Sequence, residues 1–471
     1  MSYSRQPVDT DGICGLATPV GSGAVGVIRV SGPGCLRGML PLLRRPGGGA
    51  CGVGDFEPRK LVRADICDGL SGGILDQLLV VCFPAPHSFT GEEVVELHGH
   101  GSPVVLERIL RQLVAAAGLR LARPGEFSKR AFLNGKMDLI QAEAVMRLIG
   151  AGSLRAAREA TRQLGGGLSR RLGGIRARLV EVLAEVEACL DFADEEIETA
   201  DGDELCRRLD PVIAELESLL AGSAFGRRLR EGFELVLVGR PNVGKSSLFN
   251  RLLGRDKAIV TPLAGTTRDL NEGCFEVAGV VVTVVDTAGF WESADPVERE
   301  GMRRARGRMA GADGLWVVAE AQEGLVAGDW EILAEVESSR TAVVFNKADL
   351  VPGGSGRPLL PGDWRYGEVY AVSSLDGAGF AELESLLRRW LGVMDPGEGE
   401  GETILVARQQ EALEEARDAV LRSRDLLRED KPWELVAIPL RDSLGVLGFM
   451  VGDTGVEAIL DRIFSTFCVG K

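Results

Sequence analysis

The chain has 471 residues, of which 45% are hydrophobic and 26% charged, and a formal net charge of −15. That length calls for two or three cores, and the balance is that of a globular protein. The acidic excess argues against a generally basic nucleic-acid-binding surface, the lack of a long apolar run against a membrane span, and nine cysteines with no CxxC pair against a disulfide framework. The polar start MSYSRQPVDTDG carries no apolar signal segment, so a cytoplasmic protein is expected. In chain order, residues 24–32 and 76–83 read as strands and 103–117 as a helix, which makes residues 1–122 an α+β domain. His87, His98 and His100 are the chain's three histidines and fall in one stretch; without cysteines or acids at metal spacing they read as polar residues of a strand and turn. Leu168, Leu172, Ile175, Leu179, Val182, Val186 and Leu190 then line one face of a long helix, and Leu205, Leu209, Val212, Leu216 and Leu219 a second. From Phe233 strands and helices alternate to about residue 393. The acidic linker DPGEGEGE (395–402) follows, and helical spacing returns at Leu413, Ala416, Val420 and Leu427. The expected architecture is therefore multidomain: an α+β N-terminal domain (1–122), an all-α helical domain in two segments (123–231 and 397–471), and an α/β domain inserted between them (232–393). The two helical segments should pack together in space.

The inserted region carries chemistry. GRPNVGKSS (239–247) follows an apolar strand and opens a helix, the context of a phosphate-binding loop. Glycines let the backbone wrap phosphates, Lys245 brings a point charge to the β- and γ-phosphates, and the Ser246 hydroxyl suits Mg²⁺. Asn242, Val243, Gly244 and Ser247 complete the loop. AGTTRD (264–269) lies where a threonine, here Thr267, closes on Mg²⁺. DTAG (286–289) ends the next strand, with Asp286 toward the Mg²⁺ shell, followed by Thr287, Ala288 and Gly289. NKAD (346–349) ends another, where Asp349 accepts two hydrogen bonds from guanine, and Asn346 and Lys347 support the loop. Ser373 and Ser374 sit where a last base-contacting loop belongs. Each strand-end turn alone is ordinary; four in order, each after an apolar strand, point to GTP rather than ATP. Ras-like switches place a water-orienting glutamine after DTAG; here that residue is Phe290, so another group must do that work.

Outside these motifs, DGICGLATPVGSGAVGVIRVSG (11–32), SFTGEEVVELHGHG (88–101), PGEFSKRAFLNGKMDLIQAEAV (124–145) and the tail RIFSTFCVGK (462–471) are more specific, and through them nearly the whole chain resembles the tRNA-modification GTPase MnmE (TrmE) family. The resemblance implies a Ras-like P-loop GTPase domain, and an N-terminal domain that mediates homodimerisation and binds 5-formyl-tetrahydrofolate or a related tetrahydrofolate through Arg29, Glu96, Lys136 and Lys471. It implies a K⁺ ion held by Asn242, Thr261, Leu263 and Thr266, with Glu298 orienting water. It implies a flavin-dependent MnmG (GidA) partner in a heterotetramer that modifies C5 of the wobble uridine of tRNA. Cys468 would be either a catalytic thiolate or part of the folate pocket's lining. The chain departs from the family at VVAEAQ (317–322), where an Asp is common, at SSL (373–375), where SAK or SAR is usual, at Val469, and at ARQQ (407–410). The first two are expected to bear on guanine affinity. Two other classes compete: a GTPase switch in ribosome assembly or RNA binding, and a folate-binding scaffold whose partner does the chemistry.

Overall fold

The computed structural model describes residues 11–69, 71–191, 201–221, 227–229, 231–254, 272–286, 307–351, 364–392, 405–453, 463–465 and 467. The chain divides into two compact units. One holds residues 1–146, 163–174 and 444–471; the other holds 147–162 and 175–443.

The first unit is built on a seven-stranded sheet: β1 (Ile13–Leu16), β2 (Gly23–Ser31), β3 (Leu43–Arg44), β4 (Val62–Cys67), β5 (Ile74–Phe83), β6 (Val94–Gly101) and β7 (Arg120–Leu121), in the order β3-β4-β5-β6-β2-β1-β7. Alternation decides its faces. Ile28, Val30, Leu78, Val80, Val95 and Leu97 point into the core. They meet Leu106, Ile109 and Leu113 of the helix Pro103–Ala116, which occupy one helical stripe. Each such buried side chain contributes roughly 1.5–3 kcal/mol of transfer free energy. The residues between them face the other way, and Arg29 and Glu96 stand directly opposite each other across β2 and β6. The helix Glu126–Leu133 follows β7, and its Phe132 packs with Leu139, Ala142, Phe464 and Phe467, which ties the tail to this segment.

The second unit contains a six-stranded sheet, β8 (Phe233–Val238), β9 (Glu272–Val277), β10 (Val280–Asp286), β11 (Gly314–Glu320), β12 (Thr341–Asn346) and β13 (Glu368–Ala371), in the order β13-β12-β11-β8-β10-β9. All pairs are parallel except the β9–β10 hairpin. The unbroken apolar runs of β8, β11 and β12 are explained by burial on both faces. Leu235, Leu237, Trp316, Val318 and Val344 face the helices Lys245–Leu253 and Phe380–Leu391 through Leu248, Leu383 and Leu387. Val236, Val317, Val343 and Phe345 face Ile332 and Leu333 of the helix Ala327–Ala334. In the same unit the helix Gly202–Ala221 lies along Ala407–Arg428, with Arg424 paired to Asp210 at 3.3 Å. The stripes Leu205, Leu209, Val212, Leu216, Leu219 and Leu413, Ala416, Val420, Leu427 read from the sequence are the buried faces of these two helices.

The eight cysteines among the described residues are all free. Burial pushes the Cys14 and Cys82 thiols up to about 11, so these two are inert core residues at neutral pH.

Candidate functional site

In the second unit β8 ends at Val238, and residues 239–244 loop into the helix that starts at Lys245. Two glycines are demanded by space. Gly239 has φ +152, and a Cβ there would lie 2.3 Å from the Val318 carbonyl oxygen. Gly244 has φ +94, and a Cβ would lie 2.3 Å from Asn346 Nδ2. The loop therefore leaves its N–H groups and the N-terminus of the helix Lys245–Leu253 to face an anion. Lys245 is 4% exposed, and its ammonium donates to the carbonyls of Gly239 and Arg240, both at 2.8 Å. The hydroxyl of Ser246 donates to Asp286 Oδ2 at 2.8 Å. Parallel pairing of β8 with β10 sets Asp286 beside Leu237 and so delivers that carboxylate. A hydroxyl and a carboxylate at this spacing are hard oxygen donors that suit Mg²⁺.

Asn346, at the end of β12, joins three loops. Its Nδ2 donates to the carbonyls of Val243 and Gly244 at 3.1 and 3.2 Å, and its Oδ1 accepts from the Ser374 N–H and hydroxyl at 3.1 and 2.9 Å. All four of its bonding positions are used, so Asn346 is a support of the loops. Asp349 is exposed on the turn Ala348–Leu350. The Ser373 hydroxyl accepts from the N–H groups of Leu375 and Asp376, each at 3.3 Å, which rounds off the last loop.

The two departures expected to bear on guanine affinity have a place here. Glu320, at the end of β11, pairs with Lys347 at 2.7 Å. In SSL, Ser374 adds a hydroxyl bond to Asn346, and Leu375 is 80% exposed where the pattern has a cation. Arg251 holds this loop from the helix Lys245–Leu253 by donating to the carbonyls of Ser374 and Leu375 at 3.1 and 2.8 Å. Sequence reading marked the VVAEAQ segment but not the pairing of its Glu320 with Lys347, and it missed Arg251, which stands outside every motif. Thr261, Leu263, Thr266, Thr267, Thr287, Ala288, Gly289 and Glu298 lie outside the described residues.

The first unit brings a second group together. Arg29 pairs with Glu96 at 2.9 Å, and His98 Nε2 lies 3.1 Å from the other Glu96 oxygen. The Arg29 guanidinium sits 5.1 Å from the Phe89 ring centroid and 5.9 Å from that of Phe127, aromatic neighbours that sequence reading did not select. Lys136 donates to the Pro86 carbonyl at 3.0 Å, in the segment that also carries Phe89. His100 bonds Asp76 at 2.7 Å, so both strand histidines are paired with carboxylates. Cys468 and Lys471 lie outside the described residues.

Behind this group is an ion network. Arg130 is 2% exposed and donates to Asp11, Glu92 and Glu126, and Arg120 also holds Glu126. Burial by itself would raise the Glu126 carboxyl, but hydrogen bonds from Arg120, the Arg123 N–H and Arg130 outweigh it and hold the group below the ordinary glutamate value. A carboxyl depressed on folding contributes stability that is full above its unfolded value and is lost as pH falls through its folded one. Protection of residues 120–133 from hydrogen exchange should therefore weaken as pH falls below the ordinary glutamate value, and Glu126→Gln should flatten that dependence. An equally steep loss in the variant would show that the network is not its source.

The family description "GTP-binding protein TrmE N-terminus" matches residues 12–136, and "MnmE helical domain" matches residues 139–468. Among curated relatives named tRNA modification GTPase MnmE, that of Magnetococcus marinus is 47% identical over 98% of both chains. That of Nitrosococcus oceani is 41% identical over 98% of this chain and 97% of its own, and that of Aquifex aeolicus 39% identical over 98% and 99%.

Proposed function

This chain belongs to the tRNA modification GTPase MnmE (TrmE) family, and we propose that its GTP hydrolysis depends on K⁺ and drives modification of C5 of a tRNA wobble uridine with a folate one-carbon unit. The observation that carries the reading is the joined phosphate and base loops, in which Asn346 bridges the Val243 and Gly244 carbonyls to Ser374. Lys245 binds the β- and γ-phosphates, Ser246 and Asp286 would hold Mg²⁺, and Asp349 reads guanine. Val243, Gly244, Ser247, Lys347, Ser373 and Ser374 shape the cleft around them. Thr267, with Thr287, Ala288 and Gly289, closes on the nucleotide. The cations offset negative charge between phosphates as it develops.

Asn242 is the K⁺ ligand of the phosphate loop, with Thr261, Leu263 and Thr266. Its side chain is exposed on the phosphate loop, where an amide oxygen can reach a monovalent cation. Glu298 orients water in place of the glutamine absent at position 290. A tetrahydrofolate sits at Arg29, Glu96, Lys136 and Lys471. The Arg29–Glu96 pair, with two phenylalanine rings near the guanidinium, fits a flat heterocycle with N–H donors and carboxylates. The packing of Phe464 and Phe467 with Phe132 and Leu139, on either side of Lys136 in the chain, supports including the tail, whose Cys468 would serve as thiolate or lining. The working assembly is a homodimer joined by an MnmG (GidA) flavoprotein, with tRNA as substrate.

Turnover of GTP by the full-length protein in K⁺ and in Na⁺ at equal ionic strength tests this. K⁺ should raise kcat by about tenfold or more, and Asn242→Ala should remove the difference. Equal rates in the two salts would leave a GTPase of this family without the cation mechanism.

A further inference from the structure

The phosphate loop contains one arginine, Arg240, and its two ends face opposite ways. Its carbonyl points inward and accepts from Lys245 Nζ at 2.8 Å. Its guanidinium points outward, donating from Nε to Asp329 Oδ1 at 2.9 Å and from a terminal nitrogen to Glu323 Oε2 at 3.0 Å. Asp329 is 0% exposed, whereas Glu323 is 54% exposed. The buried carboxylate is itself fixed: its Oδ2 accepts from the Val326 N–H at 3.1 Å, at the start of the helix Ala327–Ala334. Three and four residues on, Ile332 and Leu333 anchor that helix in the core against the sheet. A rigid carboxylate thus grips the loop from outside, at the residue whose main chain seats the lysine inside.

We propose that Asp329 is a positioning residue for GTP binding: it holds Arg240, and through the Arg240 main chain it fixes the carbonyl that sets Lys245. The same grip turns the loop's arginine away from the nucleotide, so Arg240 acts through its backbone. Lys245 meets phosphates in the bound state and in the transition state alike. Loosening its seat therefore weakens binding more than the chemical step.

The test uses the full-length protein and a fluorescent GDP analogue for binding, with phosphate release for turnover. Asp329→Asn keeps the shape and an acceptor for Val326 while removing the charge. It should raise the Kd about tenfold and leave kcat at saturating GTP within about twofold. Arg240→Ala should match it, and Arg240→Lys, which still reaches Asp329, should recover part of the loss. The double variant Asp329→Asn with Arg240→Ala should be no worse than either single change, because both break one link. Glu323→Gln, at the exposed partner, should stay within about twofold of the wild type. If Asp329→Asn does not fold, the Arg240 pair carries the comparison, since that side chain is partly exposed. Wild-type Kd in Arg240→Ala, additive losses in the double variant, or a fall in kcat at unchanged Kd would each overturn the proposal.

Discussion

Lys245→Ala should lower kcat/KM for GTP by about a hundred- to a thousandfold, the scale of losing a charged donor preorganised at a phosphate. The structure gives reasons for so large an effect. Lys245 is 4% exposed and its ammonium is held by two carbonyls of its own loop, so the charge is already placed beside the phosphate-binding backbone. The other cation of that loop, Arg240, is drawn outward to Asp329 and Glu323 and cannot replace it. Lys245→Arg should not restore the rate, because a planar guanidinium does not fit a seat made for a compact point charge. Phosphate release and nucleotide binding on the same preparations, with thermal unfolding to establish that the fold is kept, would measure this. Near wild-type hydrolysis in Lys245→Ala would remove the lysine from the mechanism.

Asp349→Asn should exchange the base the enzyme accepts. A carboxylate offers acceptors to both the N1–H and the 2-amino group of guanine; an asparagine offers one acceptor and places an N–H₂ against the amino group. Affinity for GTP should fall by about a hundredfold or more, as when a site built for a hydrogen bond meets a mismatched partner. Xanthosine triphosphate carries a carbonyl at C2, so it should gain in the variant what GTP loses. Asp349 is exposed on its turn, so the substitution carries little folding cost. Competition between the two nucleotides would decide the matter. An unchanged preference for GTP would shift base recognition to the loop of Ser373 and Ser374.

Asn346 is the contrasting case. It is 1% exposed, with every bonding position engaged across loops that begin at residues 239, 346 and 373. An effect of its replacement on guanine binding is expected to run through that joint. The departure at Ser374 strengthens that joint by one hydroxyl, while Leu375 leaves the loop's outer edge apolar.

What the sequence by itself determined is what depends on local chain spacing. Lys245 and Ser246 were legible because a phosphate loop needs its glycines and lysine at set intervals between a strand and a helix, and β8 and the helix Lys245–Leu253 supply that frame. The helical stripes and apolar strands were legible because each period maps onto one buried face or two. What only the tertiary structure decided is which side chains meet across loops. Asp329 stands 89 residues from Arg240, Glu320 27 from Lys347, and Arg251 123 from the carbonyl of Ser374. Arg130, buried among Asp11, Glu92 and Glu126, read as nothing in the sequence. Ion pairs have no period, and a lone arginine or aspartate looks the same on a solvated face as in a buried grip. Strand order and the depth of each loop end turn such residues toward one another, and these belong to the packed fold rather than to any stretch of chain.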